Sequence, residues 1–215
     1  KADLTIVTNE NLASRVRSAG GRPFVLPDPL PSIKRPEALM PLKGRRNVLY
    51  VCTYASDEPY LEVIRAASML DPDICVYISG NPKGKERSFS HLLPSNAVLT
   101  GYLPEDEYIT LFNAVDAIID LTTREDCLVC GAYEAVSLGK PMLLSDTKTL
   151  KQYFSKGALF TDNTAEDLAR KINEVLKNSG DLAEQAKQLK ISMAKNWEVM
   201  KNGLEKILKR MENKR

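Results

Sequence analysis

Short apolar runs alternate with segments of helical periodicity along most of the chain. Continuous apolar runs that end at Gly, Pro or Asp are typical of buried parallel strands. They predict strands at residues 4–8, 24–26, 48–52, 74–79, 97–100, 117–121, 141–144 and 159–160. Apolar residues at helical spacing predict helices at residues 9–19, 60–70, 104–115, 131–138 and 164–177, a shorter one around Thr149, and further helices over 181–215.

The regular alternation of strands and helices indicates βαβ units, which build a parallel sheet. The sequence therefore predicts an α/β fold, a Rossmann-like open parallel sheet with helices on both faces. Ligands of such sheets bind beyond the carboxyl ends of the strands. Five loops that follow predicted strands are candidate binding loops: residues 53–56, 80–82, 101–103, 122–124 and 145–146.

Six of the twelve prolines lie between Pro23 and Pro41. Because proline restricts φ and donates no amide hydrogen bond, this stretch predicts an extended linker. The predicted organisation is a β-α-β segment, a linker, a main domain and C-terminal helices, at residues 1–30, 31–46, 47–180 and 181–215. The chain begins with Lys1 instead of methionine, so we expect it to be a piece of a longer protein.

The composition is that of an ordinary folded protein, since 43% of the 215 residues are hydrophobic and 27% are charged. These fractions exclude a disordered chain, a collagen-like repeat and a disulfide-dense scaffold. No apolar run approaches the roughly 20 residues that span a bilayer, and no signal segment is seen, so we expect a cytoplasmic protein. Four cysteines in so long a chain fit reduced thiols. A net charge of +2 gives no indication of nucleic-acid binding.

Basic charge is concentrated at the C-terminus, where residues 195–215 carry seven basic and three acidic side chains. A basic amphipathic helix of this kind either lies on an anionic membrane or meets a partner domain. The third interpretation, a solvated helix face, is the more common one for such charge runs.

Two phosphate-binding motifs are absent from the sequence. Neither Gly-x-Gly-x-x-Gly nor a Walker loop follows any predicted strand, which excludes most nicotinamide dehydrogenases and nucleotide hydrolases. The single histidine, His91, argues against triad hydrolases and histidine-rich metal sites, and its polar surroundings favour a loop residue over a base. A response-regulator-like protein is disfavoured, because the loop after the strand 48–52 lacks a cluster of aspartates.

Cys127 and Cys130 have the spacing of a redox pair at the start of a predicted helix, where a thiol pKa is lowered. No second pair with this spacing completes a zinc site. We therefore favour small core residues over a redox or metal function for both.

The densest chemical signal lies between residues 122 and 146. An acidic turn at 124–126 precedes a helix that carries Gly131 and Glu134. The free amides of a helix N-terminus attract phosphate, and a glycine lets a ligand approach the backbone closely. Glu134 either accepts hydrogen bonds from ribose hydroxyls or stabilises the helix dipole, and the residues alone leave both interpretations open.

Seven residues separate Asp126 from Glu134, which is followed by Ala135 and by Gly-Lys-Pro at 139–141. This pattern resembles the acidic pair of retaining glycosyltransferases of family four and their GT-B relatives. Further segments are similar to the same family: residues 57–59, 101–104, 121–125 and Trp197. The resemblance implies two Rossmann-like domains with the active site between them. This chain then resembles the second, donor-binding domain, preceded by the closing β-α-β of the first.

The resemblance also implies roles for individual residues. Glu134 binds the ribose of a nucleoside-diphosphate sugar, and Asp126 contacts the transferred sugar as the candidate catalytic residue. The amides around Cys130 and Gly131 meet the diphosphate. The remaining candidate donor-binding residues are Tyr102 and Leu103 at the base, with Thr53, Tyr54, Gly80, Thr123 and Arg124. Because the family usually works without a metal ion, we expect no metal site and no cofactor besides the sugar donor.

Two features depart from the family pattern. The family commonly has a glutamate at the position of Asp126, and Glu125 competes with it at one residue's offset. The arginine and lysine that neutralise the diphosphate after the domain's first strand are missing from residues 53–57. Three basic residues remain as candidate replacements: Arg124, Lys83 and Lys85.

The function implied by the resemblance is sugar transfer from a UDP or GDP carrier to a hydroxyl of a glycan or lipid-linked acceptor, with retention, as in polysaccharide biosynthesis. The expected partners are the donor, the acceptor and the N-terminal domain, with peripheral membrane contact as an open alternative for the basic tail and no nucleic acid. Because acceptor-side groups would lie on the N-terminal domain, we expect little or no transfer by this chain alone. The alternative from another class is a non-catalytic nucleotide-binding or interaction module of the same fold.

Overall fold

The computed structural model describes residues 2–34, 36 and 40–213. Part of the predicted linker, at residues 35 and 37–39, lies outside the described residues, as do Lys1 and the last two residues of the basic tail.

The chain divides into two compact units. The larger is Pro31–Leu189, and the smaller combines Lys1–Leu30 with Lys190–Arg215. The domain boundaries predicted from the sequence, after residues 30, 46 and 180, stay predictions.

The larger unit is built on one six-stranded sheet in which all neighbouring strands are parallel. Its strands are β3 (Arg46–Tyr50), β4 (Ile74–Ser79), β5 (Ala97–Gly101), β6 (Ala117–Asp120), β7 (Met142–Ser145) and β8 (Ala158–Thr161). Their order in space is β5-β4-β3-β6-β7-β8. The predicted α/β fold with a Rossmann-like open parallel sheet is confirmed.

Helices follow the strands of this sheet, one after each strand. They are α2 (Tyr60–Ser68), α3 (Glu86–Phe89), α4 (Glu105–Ala114), α5 (Cys130–Leu138), α6 (Lys148–Tyr153) and α7 (Ala165–Lys177). The short α3 and a following 3-10 turn at Ser90–Leu92 connect β4 to β5. Thr164 caps α7, because its side chain accepts a hydrogen bond from the Asp167 N–H.

The core of the larger unit lies on both faces of the sheet. On one face, Val48 and Val76 pack with Ile64 of α2 and Leu168 of α7 in a single buried cluster. Because side chains alternate along a strand, the buried Leu49 points to the opposite face. Helix α5 has seven buried residues out of nine. Burial on two faces explains why the strands are continuous apolar runs instead of alternating ones.

The smaller unit begins with a β-α-β segment, as predicted. Its strands β1 (Thr5–Val7) and β2 (Pro23–Val25) are parallel and are joined by α1 (Glu10–Ser18). Asn9 ends the turn before α1 and accepts a hydrogen bond from the Leu12 N–H at 3.0 Å, which satisfies a free donor of the first helical turn.

A single helix, α8 (Ser179–Glu212), forms the C-terminal part of the chain. The prediction of several helices here is wrong, because the segment contains no proline that would end a helix. In the smaller unit, the Trp197 indole N–H donates to the Pro27 carbonyl at 3.0 Å. Among the described helices, none has both the length and the hydrophobicity needed to cross a membrane.

The junction between β6 and α5 is closely packed. A Cβ atom on Gly131 would lie 2.7 Å from Oδ2 of Asp120 and 2.8 Å from Cγ2 of Val51. Only glycine lets the first turn of α5 approach the sheet this closely. The glycine that the sequence associates with the approach of a ligand is therefore required by the packing of the helix on the sheet.

We expect Gly131→Ala to lower the free energy of unfolding by about 1–3 kcal/mol, because the added methyl group overpacks this junction. Urea unfolding followed by circular dichroism measures the change. Gly180→Ala is the matched control, since no atom lies within 4 Å of its Cβ position in α8. The control should be neutral or stabilising by up to about 1 kcal/mol. An equal loss in both variants would contradict the packing argument.

Candidate functional site

The strand order of the large sheet reverses between β3 and β6. Open α/β sheets bind ligands at such a switch point, beyond the carboxyl ends of the strands. The loops after β3 and β6 and the N-terminus of α5 meet there. Most of the predicted donor-binding residues lie on these three segments: Thr53, Tyr54, Thr123, Arg124, Asp126, Cys130 and Gly131.

The loop after β3 contains a left-handed residue, Tyr54, with φ 59°. The backbone N–H groups on either side of it, of Thr53 and Ala55, both donate to Oε2 of Glu58, at 2.8 and 2.9 Å. The Thr53 hydroxyl donates to Oε1 of the same carboxylate at 2.9 Å. Converging backbone N–H groups form an anion-binding concavity. Here the bound anion is a carboxylate of the chain itself.

Aromatic packing holds this loop in its left-handed conformation. The Tyr54 side chain is buried, stacks on Phe89 with 6.0 Å between ring centres, and contacts the Tyr60 ring at 5.2 Å. Burial raises the pKa of the Tyr54 hydroxyl above its ordinary value. Unfavourable backbone conformations persist where the surrounding packing determines them. The aromatic cluster therefore positions the amides that bind Glu58.

Asp57 links the loop after β3 to the loop after β6, and we call these two segments the central loops. Its Oδ2 accepts a hydrogen bond from the Thr122 hydroxyl at 2.9 Å, and its carbonyl accepts one from the Thr123 N–H at 2.8 Å. Its Oδ1 lies 3.3 Å from the guanidinium of Arg124. The predicted phosphate ligand Arg124 is thus already paired with a carboxylate.

Asp120 ends β6 and is only 7% exposed. Its carboxylate faces the backbone N–H groups of Gly131 and Ala132 in the first turn of α5, which favour the charged form. Burial outweighs these contacts and raises the pKa of Asp120 well above its ordinary value, and the charges of Glu58 and Glu134 act in the same direction. The helix N-terminus predicted to meet a diphosphate therefore already faces an internal carboxylate.

Glu134 lies in α5, where the Tyr108 hydroxyl of α4 donates to its Oε2 at 2.7 Å. Burial raises the pKa of Glu134, and the hydrogen bond from Tyr108 partly offsets the rise. The side chain lines a cleft of about 410 Å³ between residues 31–34 and the helices α4 and α5. Glu134 is therefore a half-buried and oriented hydrogen-bond acceptor on the wall of a cleft.

Three other predicted residues follow the strands β4 and β5. Gly80, at the end of β4, has φ 88°, and a Cβ there would lie 2.1 Å from the Cys52 carbonyl oxygen. This contact brings Gly80 beside the loop after β3. Tyr102 and Leu103 follow β5 at the sheet edge, three strand spacings or roughly 14 Å from β6. Tyr102 is 80% exposed.

The two competing acidic residues of the β6–α5 loop have different environments. Glu125 accepts a hydrogen bond from the Lys148 N–H, at the start of α6, at 2.7 Å. Asp126 is half-buried two residues beyond Arg124. Glu125 is thus held at the start of α6, whereas Asp126 lies four residues before the start of α5.

The three candidate basic residues also differ in position. Lys85 lies at the loop after β3, where its Nζ donates to the Tyr54 carbonyl at 2.6 Å. Arg124 is engaged with Asp57. Lys83 is exposed in the turn after β4. Of the three, Lys85 is the one whose charge lies at the loop after β3. The described ion pairs include none between Lys85 and a carboxylate.

All four cysteines are free thiols. Cys130 is exposed and Cys127 is half-buried, so the interpretation of both as core residues is wrong. The reason is that the buried face of α5 begins at Gly131, after both cysteines. Burial raises the pKa of Cys127, in contrast to the lowering expected at a helix start. His91 is exposed in the 3-10 turn, as predicted for a loop residue.

Sequence reasoning assigned no role to four residues that organise this site: Asp57, Glu58, Asp120 and Tyr108. A signal existed for Asp120, which is the one charged residue in the apolar run 117–121. Another existed for the acidic pair before Pro59, where a helix begins. No local signal links Tyr108 to Glu134, because the two lie 26 positions apart and meet only in the folded chain.

A parallel sheet with loops converging at its switch point defines the class of Rossmann-like domains. The chain belongs to the glycosyl transferases group 1 family, whose model matches residues 36–195. This membership confirms the resemblance found in the sequence. No curated protein sequence is significantly similar to the chain.

Solved structures of glycosyltransferases share this fold. Sucrose-phosphate synthase from Thermosynechococcus elongatus matches with a TM-score of 0.76 at 16% identity, over 100% of this chain and 60% of its own. HepE from Anabaena, in complex with UDP and glucose, matches with a TM-score of 0.75 at 14% identity, over 97% of this chain and 64% of its own. The pneumococcal O-GlcNAc transferase GtfA, in complex with UDP and GlcNAc, matches with a TM-score of 0.67 at 14% identity, over 99% of this chain and 45% of its own. The chain thus spans 45–64% of these proteins, and the likeness shows the fold.

We expect Tyr108→Phe to raise the pKa of Glu134 further, because the charged carboxylate loses a stabilising hydrogen bond. The pKa of Glu134 in the folded chain already lies above its value in the unfolded chain. The folded chain therefore loses stability as the pH rises from the unfolded-state pKa to the folded-state pKa. The variant should therefore lose about 1–2 kcal/mol more stability, relative to wild type, at about pH 7 than at about pH 4. Urea unfolding at both pH values measures the difference.

Tyr102→Phe is the matched control, since Tyr102 is 80% exposed. Its stability relative to wild type should be the same at both pH values. A loss in Tyr108→Phe that does not depend on pH would show that the bond does not distinguish charged from neutral Glu134.

Proposed function

We propose that the chain is the donor-binding domain of a glycosyltransferase that takes a sugar from a nucleoside-diphosphate carrier. The observation that carries the proposal is the Glu134 carboxylate, which lines the cleft and is oriented by Tyr108. Glu134 is the fifth residue of α5, beyond the first turn in which a helix dipole stabilises an acidic side chain. Recognition of a pair of ribose hydroxyls accounts for its position better than the dipole does.

A uridine nucleotide is the first candidate for the carrier. HepE and GtfA, which share the fold, were both solved with UDP. GDP, which the sequence resemblance also allows, is the second candidate. In either case the base end of the donor lies toward Tyr102 and Leu103 at the sheet edge, and the phosphate end lies toward the central loops.

In the proposed reaction this chain binds and orients the donor, and the sugar passes to the acceptor hydroxyl with retention. Asp126 contacts the sugar. Lys85, together with backbone N–H groups of the central loops, stabilises the charge that develops on the leaving diphosphate. The reaction is proposed to need no metal ion. Within the described residues, no group of three or more His, Cys, Asp or Glu side chains is arranged to hold one.

The acceptor is proposed to be a hydroxyl of a glycan or of a lipid-linked glycan, bound by an N-terminal domain of the whole protein. The reaction then belongs to polysaccharide biosynthesis in the cytoplasm. Peripheral membrane contact through the basic end of α8 would bring the site to a lipid-linked acceptor.

A non-catalytic nucleotide-binding or interaction module is the second candidate function. The observation that favours it is the pair of internal carboxylates, since the amides after β3 hold Glu58 and those of α5 face Asp120. A module with both positions permanently occupied would bind a nucleoside diphosphate weakly or not at all.

The donor-site proposal predicts that the chain binds UDP or GDP and that Glu134→Ala weakens this binding by about tenfold or more, because hydrogen bonds to the ribose are lost. Isothermal titration calorimetry measures both affinities. Glu107→Ala, an exposed position on α4 with the same charge change, is the control and should bind like wild type. Equal and negligible binding by wild type and Glu134→Ala would contradict the donor-site assignment and favour the interaction module.

We also expect little or no sugar transfer by the 215-residue chain alone, because the proposal places the acceptor-side groups on the N-terminal domain. The measurement is UDP or GDP release from UDP-glucose or GDP-mannose in the presence of simple glycan acceptors. Robust transfer by the isolated chain would contradict this division of roles.

A further inference from the structure

The loop after β3 forms a complete anion site whose anion belongs to the chain. The N–H groups of Thr53 and Ala55 and the Thr53 hydroxyl all donate to the Glu58 carboxylate, at 2.8–2.9 Å. Nucleotide sites hold phosphate in backbone concavities of this kind at the switch point of a sheet. Glu58 therefore engages the same donors that a phosphate group of the donor would use.

Two internal carboxylates face backbone N–H groups at the switch point, and they are held differently. Asp120 is the last residue of β6, is 7% exposed, and packs against Gly131. It cannot leave without a shift of the strand or the helix. Glu58 lies in the turn before α2 and is half-buried, so its side chain can rotate toward solvent. Only Glu58 can give way to a ligand without a change in the fold.

We propose that Glu58 is an internal competitor of the donor diphosphate. Its carboxylate fills the N–H groups after β3 in the free protein, and donor binding displaces it toward solvent. This inference rests on the proposed function, because it names the regulation of that same donor site. After displacement, the Thr53 and Ala55 amides bind the phosphate.

The charges around the loop are consistent with this role. Asp57 and Asp120 place two further carboxylates at the switch point, and Arg124 is paired with the first of them. Lys85 lies at the Tyr54 carbonyl on the same loop. An incoming diphosphate therefore meets the negative charge of Glu58 at these amides until Glu58 moves away, and Lys85 is the basic side chain on the same loop.

A purely structural role for Glu58, as a cap of the loop and of α2, is the alternative. In that case removal of its charge loosens the loop and weakens any ligand binding there. A competitor that loses its charge leaves the amides more available, and phosphate binding strengthens. The two roles thus predict opposite changes in affinity.

The test compares wild type with Glu58→Gln, which keeps the size of the side chain and removes its charge. In calorimetry on the 215-residue chain, we expect UDP or GDP to bind about tenfold more tightly to the variant, because a unit negative charge next to the phosphates is gone. Uridine and guanosine, which lack phosphate, should bind both proteins equally. Glu62→Gln on α2 is the matched control, since Glu62 carries the same charge but pairs with Arg65, and it should bind like wild type.

Equal or weaker binding of both nucleotides to Glu58→Gln overturns the competitor role while leaving the donor site in place. If neither wild type nor Glu58→Gln binds UDP or GDP, and Glu134→Ala changes nothing, the donor site itself is wrong and both proposals fail.

A measurement on the wild-type chain keeps the test independent of how well the variant folds. Saturating UDP or GDP should shift the amide proton signals of Thr53 and Ala55 in nuclear magnetic resonance spectra, because their acceptor changes from a carboxylate to a phosphate. The Glu58 carboxyl carbon signal should shift with them. Nucleotide binding that leaves these three signals in place overturns the proposal.

Discussion

Backbone N–H groups in a loop or in the first turn of a helix have no partner within a strand or helix and need another acceptor. The arrangement at the switch point of the sheet depends on this requirement. At the switch point of the sheet, such groups occur at Thr53 and Ala55 after β3 and in the first turn of α5. The chain supplies acidic side chains for both sets, Glu58 for the loop and Asp120 for the helix. Two features of the backbone accompany these contacts: Tyr54 has a left-handed conformation, and residue 131 must be a glycine.

The proposed donor site is consequently held by two separate parts of the fold. Its ribose end depends on α4 and α5, where Tyr108 orients Glu134. Its phosphate end depends on the loop after β3, where Glu58 and Lys85 lie. The Asp120 carboxyl lies between these two parts, since the charges of both Glu58 and Glu134 raise its pKa.

Much of the fold could be predicted because it depends on local sequence. Apolar runs located every strand of the large sheet to within about two residues, since a strand buried on both faces needs continuous apolar side chains. The spacing of Asp126 and Glu134 identified the family. Two predictions were wrong for different reasons. Cys130 is exposed because the buried face of α5 starts one residue later, and one helix replaces several because no proline interrupts α8.

By itself, the sequence determined the fold class, the family and the acidic residue of the cleft, because periodicity and spacing are local properties. Only the tertiary structure decided how the site is occupied. Asp57 reaches Thr122 across 65 positions, and Tyr108 reaches Glu134 across 26. Even the contact between Glu58 and Thr53, five positions apart, depends on a left-handed turn that the packing of Tyr54 against Phe89 imposes. Such a turn has no local signature in the chain, because distant side chains create it.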